Sequence, residues 1–228
     1  MLKKALGYFS MLEKVLWCSS VMLIITAFIM FDRENLLTLF ASIIGVTSLI
    51  FNAKGNPFGQ ILMIIFSILY GIISFSCFYF GEMITYLGMT MPMAVFALVS
   101  WLRNPYKGKK SEVKVNSISV KETVFLFLLT VFVTFVFYFI LDYFNTANML
   151  FSTLSVSTSF IAAYLTFRRS PYFALGYAAN DVVLIILWIM ASFIKISYIG
   201  VVICFVVFLI NDLYGFVSWL QMEKRQKN

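Results

Sequence analysis

The chain has 228 residues, 62% apolar and 12% charged, with 26 Phe, 12 Tyr and a mean hydropathy of +0.95. A soluble domain is roughly half apolar and a quarter charged, so a soluble fold is excluded and an all-α integral membrane protein is expected. The net charge of +7 does not point to nucleic acid, because the basic residues sit in short stretches between apolar runs and only Tyr106 interleaves with them.

Eight segments are long and apolar enough to cross a hydrocarbon layer of about 30 Å. The first, 12–31, follows Lys3, Lys4 and Lys14 as a signal peptide would. No small-x-small cleavage site comes after it, and Phe31-Asp32-Arg33-Glu34 leads straight into the next span, so it is read as a helix. The short second span, 36–52, is extended by Phe51 and a snorkelling Lys54. Spans 58–80 and 83–102 follow Pro57 and end near Trp101. A polar run from Arg103 to Lys121 precedes span 122–144; then come 147–167, 172–194 behind Pro171, and 197–220.

Alternating these spans puts 15 of the 17 Lys and Arg residues on the side of the N-terminus and leaves Arg33 and Lys195 on the other. That asymmetry places both termini in the cytoplasm of a multi-pass cell-membrane protein. Anionic membrane lipid is a sufficient partner for the basic run 103–121.

The absence of histidine removes a His-containing metal site, a Ser-His-Asp triad and a His proton shuttle. Three scattered cysteines cannot make a zinc site, and Cys18, Cys77 and Cys204 read as small core residues. Neither a catalytic site nor a metal or other cofactor is therefore expected, and an integral-membrane enzyme is the weaker reading.

Val99-Ser100-Trp101-Leu102 recurs as Val217-Ser218-Trp219-Leu220, each copy closing a pair of apolar segments that opens after a proline. This predicts an N-terminal extra helix (1–35), a first three-helix repeat (36–102), a basic linker with a linking helix (103–146), a second repeat (147–221) and a tail (222–228). The single linking helix makes the two copies parallel.

Ionisable groups near the bilayer centre cost at least ~2.5–3.5 kcal/mol each, so those present need a partner or a task. Two doublets, Asn180-Asp181 and Asn211-Asp212, lie inside the last two spans and are the leading candidates for substrate binding. Trp188, seven residues from Asp181, returns to nearly the same helix face and offers an aromatic plane beside a carboxylate. Gln60 and Tyr86 supply polar groups from the first repeat, with interfacial placement an equal alternative for Gln60. Tyr70 and Tyr214 each adjoin a glycine, which fits close helix approach; Tyr214 also joins the binding candidates. Trp101 and Trp219 are expected as interface anchors. Pro92 removes a backbone donor inside its helix and is the expected hinge.

Several words of the sequence resemble the PnuC family of vitamin transporters, which share the SWEET-like plan. They are Phe51-Asn52-Ala53-Lys54-Gly55-Asn56, Tyr70-Gly71, Gly81-Glu82 with Tyr86, Pro92 and Trp101, Asp181 with Trp188, and Asn211-Asp212-Leu213-Tyr214-Gly215 with Trp219. The resemblance runs from about Thr47 to Trp219. It implies uptake of nicotinamide riboside by facilitated diffusion, with phosphorylation by a cytosolic kinase trapping the product. The sequence departs from the family at Ala163, where many members carry Gln, and loss of an amide in a dry site changes which polar ligand is accepted. Thiamine, riboflavin and deoxynucleosides remain alternative substrates, proton coupling through Asp181 or Asp212 an alternative mechanism, and a homo-oligomer is left open.

Overall fold

The computed structural model describes residues 7–76 and 79–228. Lys3, Lys4 and Cys77, which entered the sequence reading, lie outside them. Among the described residues eight helices are long and apolar enough to span a membrane. They are α1 (Met11–Phe31), α2 (Leu36–Ala53), α3 (Phe58–Ser76), α4 (Phe80–Arg103), α5 (Val120–Tyr143), α6 (Met149–Phe167), α7 (Phe173–Ser192) and α8 (Ile199–Lys227), the last entered through a 3-10 turn at Ile196–Tyr198. Expected and observed spans agree closely, except that α8 runs on through the charged tail to Lys227; the expected end of the third span, at 80, falls past residues 77–78, which lie outside those described.

Local chemistry sets several ends. Ser10 and Glu13 form a reciprocal capping box at the start of α1. Ser119 accepts from the Glu122 main-chain N–H at the start of α5. Such caps each contribute about 1 kcal/mol by satisfying donors that a helix leaves open. The polar run after α4 folds into a two-stranded hairpin, β1 (Pro105–Tyr106) and β2 (Lys109–Val113). Lys107 and Gly108 turn it, both with positive φ. Two residues at positive φ suit a two-residue hairpin turn, a signal that the charge of this segment masked.

Helix α2 packs on α3 and α3 on α4; α6 packs on α7 and α7 on α8. The two groups meet twice, α4 against α6 and α8 against α2. Helices α1 and α5 lie outside these groups with most of their surface exposed, α1 against α2 and α8, α5 mainly against α6. In lipid there is no water to drive helices together, so packing and interhelical hydrogen bonds hold the bundle. Gly45 shows the fit: a Cβ there would collide with the Phe208 ring.

One end of the bundle gathers the α2–α3 turn, the hairpin, the α6–α7 turn and the end of α8. The Val113 N–H donates to Gly55 O (2.9 Å), the Asn116 N–H to Arg169 O (3.0 Å), and Gln226 Nε2 to Glu112 Oε1 (2.9 Å). We refer to it as the basic end. Here Trp101 and Trp219 are fully buried, so neither is the headgroup anchor expected from its charged neighbours. Trp101 Nε1 donates to Thr166 O (2.9 Å) and Trp219 Nε1 to Asn52 O (2.7 Å), which buries both indoles with their N–H groups satisfied.

Candidate functional site

The break expected at Pro92 takes the form of a π-helical turn over Tyr86–Thr90, immediately before the proline. The Met91 N–H reaches back to Tyr86 O, five residues away, and Pro92 has no N–H to restore the α-helical register. This widened turn buries Tyr86 in the middle of the bundle.

Tyr86 meets Tyr70 of α3 with ring centroids 4.4 Å apart. Phe66 closes one side, 5.6 Å from Tyr70 and 5.9 Å from Tyr86, and Phe205 of α8 lies 6.1 Å from Tyr70. Trp188 of α7 stands edge-on to Tyr70 at 6.5 Å. Beyond it, toward the end opposite the basic one, Tyr79 and Tyr198 pack on Trp188 at 5.3 and 5.2 Å. Four helices thus build an aromatic cage roofed by two tyrosines.

Carboxyl groups flank the cage. Asp181 and Asp212 are buried neighbours, and both lie near Tyr177. Tyr86 lies near both Asp181 and Glu82, the latter one turn back on α4. Asp181 and Glu82 are each only 4% exposed. Among the described residues, Asp181 Oδ2, Glu82 Oε2, the Tyr70 hydroxyl, Thr90 Oγ1 and Trp188 Nε1 close no well-directed hydrogen bond. Buried polar atoms left open cost about 1–3 kcal/mol each, so those beside these rings call for an explanation.

The structure therefore brings Tyr86, Asp181, Asp212 and Trp188 around one centre. Asn180 stands beside it, its Oδ1 accepting from Thr158 Oγ1 of α6 (2.9 Å). Three other candidates lie elsewhere. Gln60 is fully buried, not interfacial, and donates to Asn52 Oδ1 (2.9 Å) where α2 and α3 meet. Asn211 donates to Ser20 Oγ of α1 (3.0 Å) and to Val207 O (2.8 Å). Tyr214 donates to Glu13 Oε1 of α1 (3.1 Å) near the basic end. These side chains fix neighbouring helices. Tyr70, Glu82 and the flanking Phe66, Phe205, Tyr79 and Tyr198 are cage residues that the sequence does not single out for binding. The close approach expected beside Tyr70 is real, since a Cβ on Gly71 would come within 2.6 Å of Leu87, but Tyr70 itself faces the cage. Cys204, a buried thiol near Asp181, behaves as the small core residue expected, whereas Cys18 is exposed.

An eight-span helical bundle with open polar groups in an aromatic cage at its centre is the architecture of a multi-pass membrane transporter. The sequence profile described as Nicotinamide mononucleotide transporter matches residues 35–221, and the chain belongs to that family. It is 24% identical over 200 residues to the nicotinamide riboside transporter PnuC of Neisseria mucosa, covering 86% of this chain and 76% of the relative. Its fold matches the crystal structure of the vitamin B3 transporter PnuC with a TM-score of 0.82 at 21% identity, over 96% of this chain and 94% of the other.

Proposed function

We propose that the chain carries nicotinamide riboside, or a closely related vitamin, into the cell by facilitated diffusion. The observation that carries this reading is the meeting of Tyr70, Tyr86 and Trp188 with the open carboxyls of Asp181 and Glu82. A flat cationic ring gains from both features, with cation–π contact contributing about 0.5–2 kcal/mol once the site is dry. Family membership and the printed activity of the Neisseria relative support the same substrate class.

Tyr70 and Tyr86 pack too closely to admit a ring between them, so they part when the ligand enters. The π turn at Tyr86–Thr90 gives α4 the loosened hydrogen bonding to allow it, with Pro92 as the hinge. Repeats over 36–102 and 147–221, linked through 103–146, would move as two parallel units, with 1–35 and the 222–228 tail outside them. The matching α4–α6 and α8–α2 contacts support this division. Cytoplasmic placement of both termini rests on the lysine and arginine distribution. Trapping would fall to a cytosolic kinase, and the carrier itself performs no covalent chemistry. Neither a homo-oligomer nor a proton-coupled cycle is needed by this mechanism.

Counterflow in liposomes tests the reading. Vesicles preloaded with unlabelled nicotinamide riboside should take up the labelled compound without an ion gradient, and thiamine, riboflavin and deoxyadenosine should compete poorly. Exchange of one of those three in preference to nicotinamide riboside would reassign the substrate.

A further inference from the structure

We infer that substrate leaves the aromatic cage toward the basic end along the α2–α8 seam, through a gate formed by Ser218 and Trp219, while the corresponding α4–α6 seam stays shut. This rests on the transport reading above.

The two seams are closed by the same bonds. Ser218 Oγ donates to Ala53 O (2.7 Å) beside the Trp219–Asn52 bond, and Ser100 Oγ donates to Phe167 O (2.8 Å) beside the Trp101–Thr166 bond. Their surroundings differ. On the α2–α8 side a polar cavity of about 400 Å³ opens against the gate, with Lys54, Ser218, Gln221 and Arg225 in its wall and the hairpin's Ser111 and Glu112 facing them. That volume is ample for a nucleoside. From the cavity wall, contacts run inward through Trp219 to Phe173 (4.9 Å) and Tyr177 (6.3 Å from Phe173), and Tyr177 adjoins Asp181 and Asp212.

Side chains reaching from α1 also close this seam. Glu13 of α1 is the latch, accepting from Lys54 at the end of α2 (3.1 Å) and from Tyr214 of α8 (3.1 Å). Between the helices, Gly215 faces Ala53, with 3.8 Å between a Cβ built on the glycine and the alanine Cβ. The hairpin crosses this seam as well, its Val113 N–H donating to Gly55 O after α2 and its Val113 O accepting from Gln226 Nε2 of α8, and Arg225 pairs with Glu112. The α4–α6 seam has ties of its own. Arg169 donates to Ser100 Oγ (2.8 Å) and to Lys114 O (3.2 Å), and Asn116 holds Arg169 O through its main chain and Arg168 O through its side chain.

Paired cysteines separate the two seams. In a Cys18→Ser, Cys77→Ser background, Ala53→Cys with Gly215→Cys has the Cβ spacing of a disulfide. Ala97→Cys with Phe167→Cys, closed by a short bis-maleimide where it does not oxidise, locks the other seam. Locking α2–α8 should lower uptake by about 10-fold or more and reductant should restore it, whereas locking α4–α6 should leave uptake within about 2-fold, because a step that must open sets the rate. Persistent uptake with α2–α8 locked, or equal loss from both locks, overturns the route. Spin-label pairs read it without substrate: Phe58→Cys with Gln221→Cys should give two separations, and Leu102→Cys with Tyr172→Cys one. A single separation for the first pair overturns the inference. If the reduced protein carries no nicotinamide riboside, the transport reading fails and the label distances still decide the route.

Discussion

The indoles of Trp101 and Trp219 meet with their centroids 5.4 Å apart, and each donates its N–H to a main-chain carbonyl at the end of a helix from the other half of the chain. The two tryptophans are 118 positions apart, and the two acceptors, Asn52 and Thr166, are 114 apart. One interaction is therefore made twice, crosswise, at the centre of the basic end. A comparable pairing joins the outer helices: Glu13 takes Lys54, which caps α2, and Glu122 takes Arg168, which caps α6. Tyr214 and Tyr164 donate to the same two carboxylates. By these contacts α1 stands to α2 as α5 stands to α6.

Replacing either tryptophan by Phe keeps a ring and removes the N–H. Each change should destabilise the protein by about 0.5–1.5 kcal/mol, the net worth of one such bond in a membrane interior. Because the rings touch, the double variant should depart from additivity. Thermal unfolding of the four proteins in one detergent measures this; a strictly additive pair would mean that the contact carries no coupling.

Trp188→Ala should weaken nicotinamide riboside binding by about 1–3 kcal/mol, or roughly 5- to 150-fold in Kd, since it removes the cage wall between Tyr70 and the Tyr79–Tyr198 roof. Equilibrium binding on folded protein checks it, and an unchanged Kd would assign Trp188 to packing alone.

Glu82→Gln preserves shape and removes a charge. Because Glu82 Oε2 makes no hydrogen bond among the described residues, the change should leave thermal stability of the ligand-free protein unchanged or raised. Affinity for a cationic ligand should fall by about 10-fold, near the 1.4 kcal/mol of one lost electrostatic contact. A large loss of stability with no loss of affinity would instead make Glu82 a structural carboxyl.

Passive carriage can only equalise free ligand across a membrane, because a site open to either side without coupling holds no gradient. Uptake into kinase-free liposomes should therefore stop at equal internal and external concentrations. Accumulation driven by an imposed proton gradient would favour the Asp181–Asp212 pair as a proton carrier.

A cysteine at Lys109, in the hairpin of the basic end, should be labelled from the cytoplasmic side alone, and one at Lys195, between α7 and α8, from outside alone. Labelling of both from one side would contradict the proposed orientation.

Hydropathy and helix punctuation made all eight spans legible, because each span needs its own unbroken apolar length. The doublet Asn180-Asp181 was legible for a related reason: a carboxyl deep in an apolar run needs an explanation. The same rule favoured Asn211, Tyr214 and Gln60, whose partners are Ser20, Glu13 and Asn52. Those partners come from other helices, and a single sequence does not say which polar group meets another across a bundle. Tyr70 was hidden among 12 tyrosines, and its glycine neighbour suggested only close packing. Trp101 and Trp219 looked interfacial because charges follow them in sequence; their burial depends on the crosswise meeting of the two halves.

The most direct measurement compares the binding of nicotinamide riboside with that of its neutral, ring-reduced dihydro form, on the unmodified protein and on Asp181→Asn. The two ligands share a shape and differ in the charge of the ring. A cage of rings and open carboxyls should bind the cation about 10-fold or more tightly than the neutral form, and Asp181→Asn should narrow that ratio, since a lost charge contact of about 1.4 kcal/mol is one decade in affinity. Equal affinity for both ligands, unchanged in the variant, would contradict recognition of a cationic ring at this site.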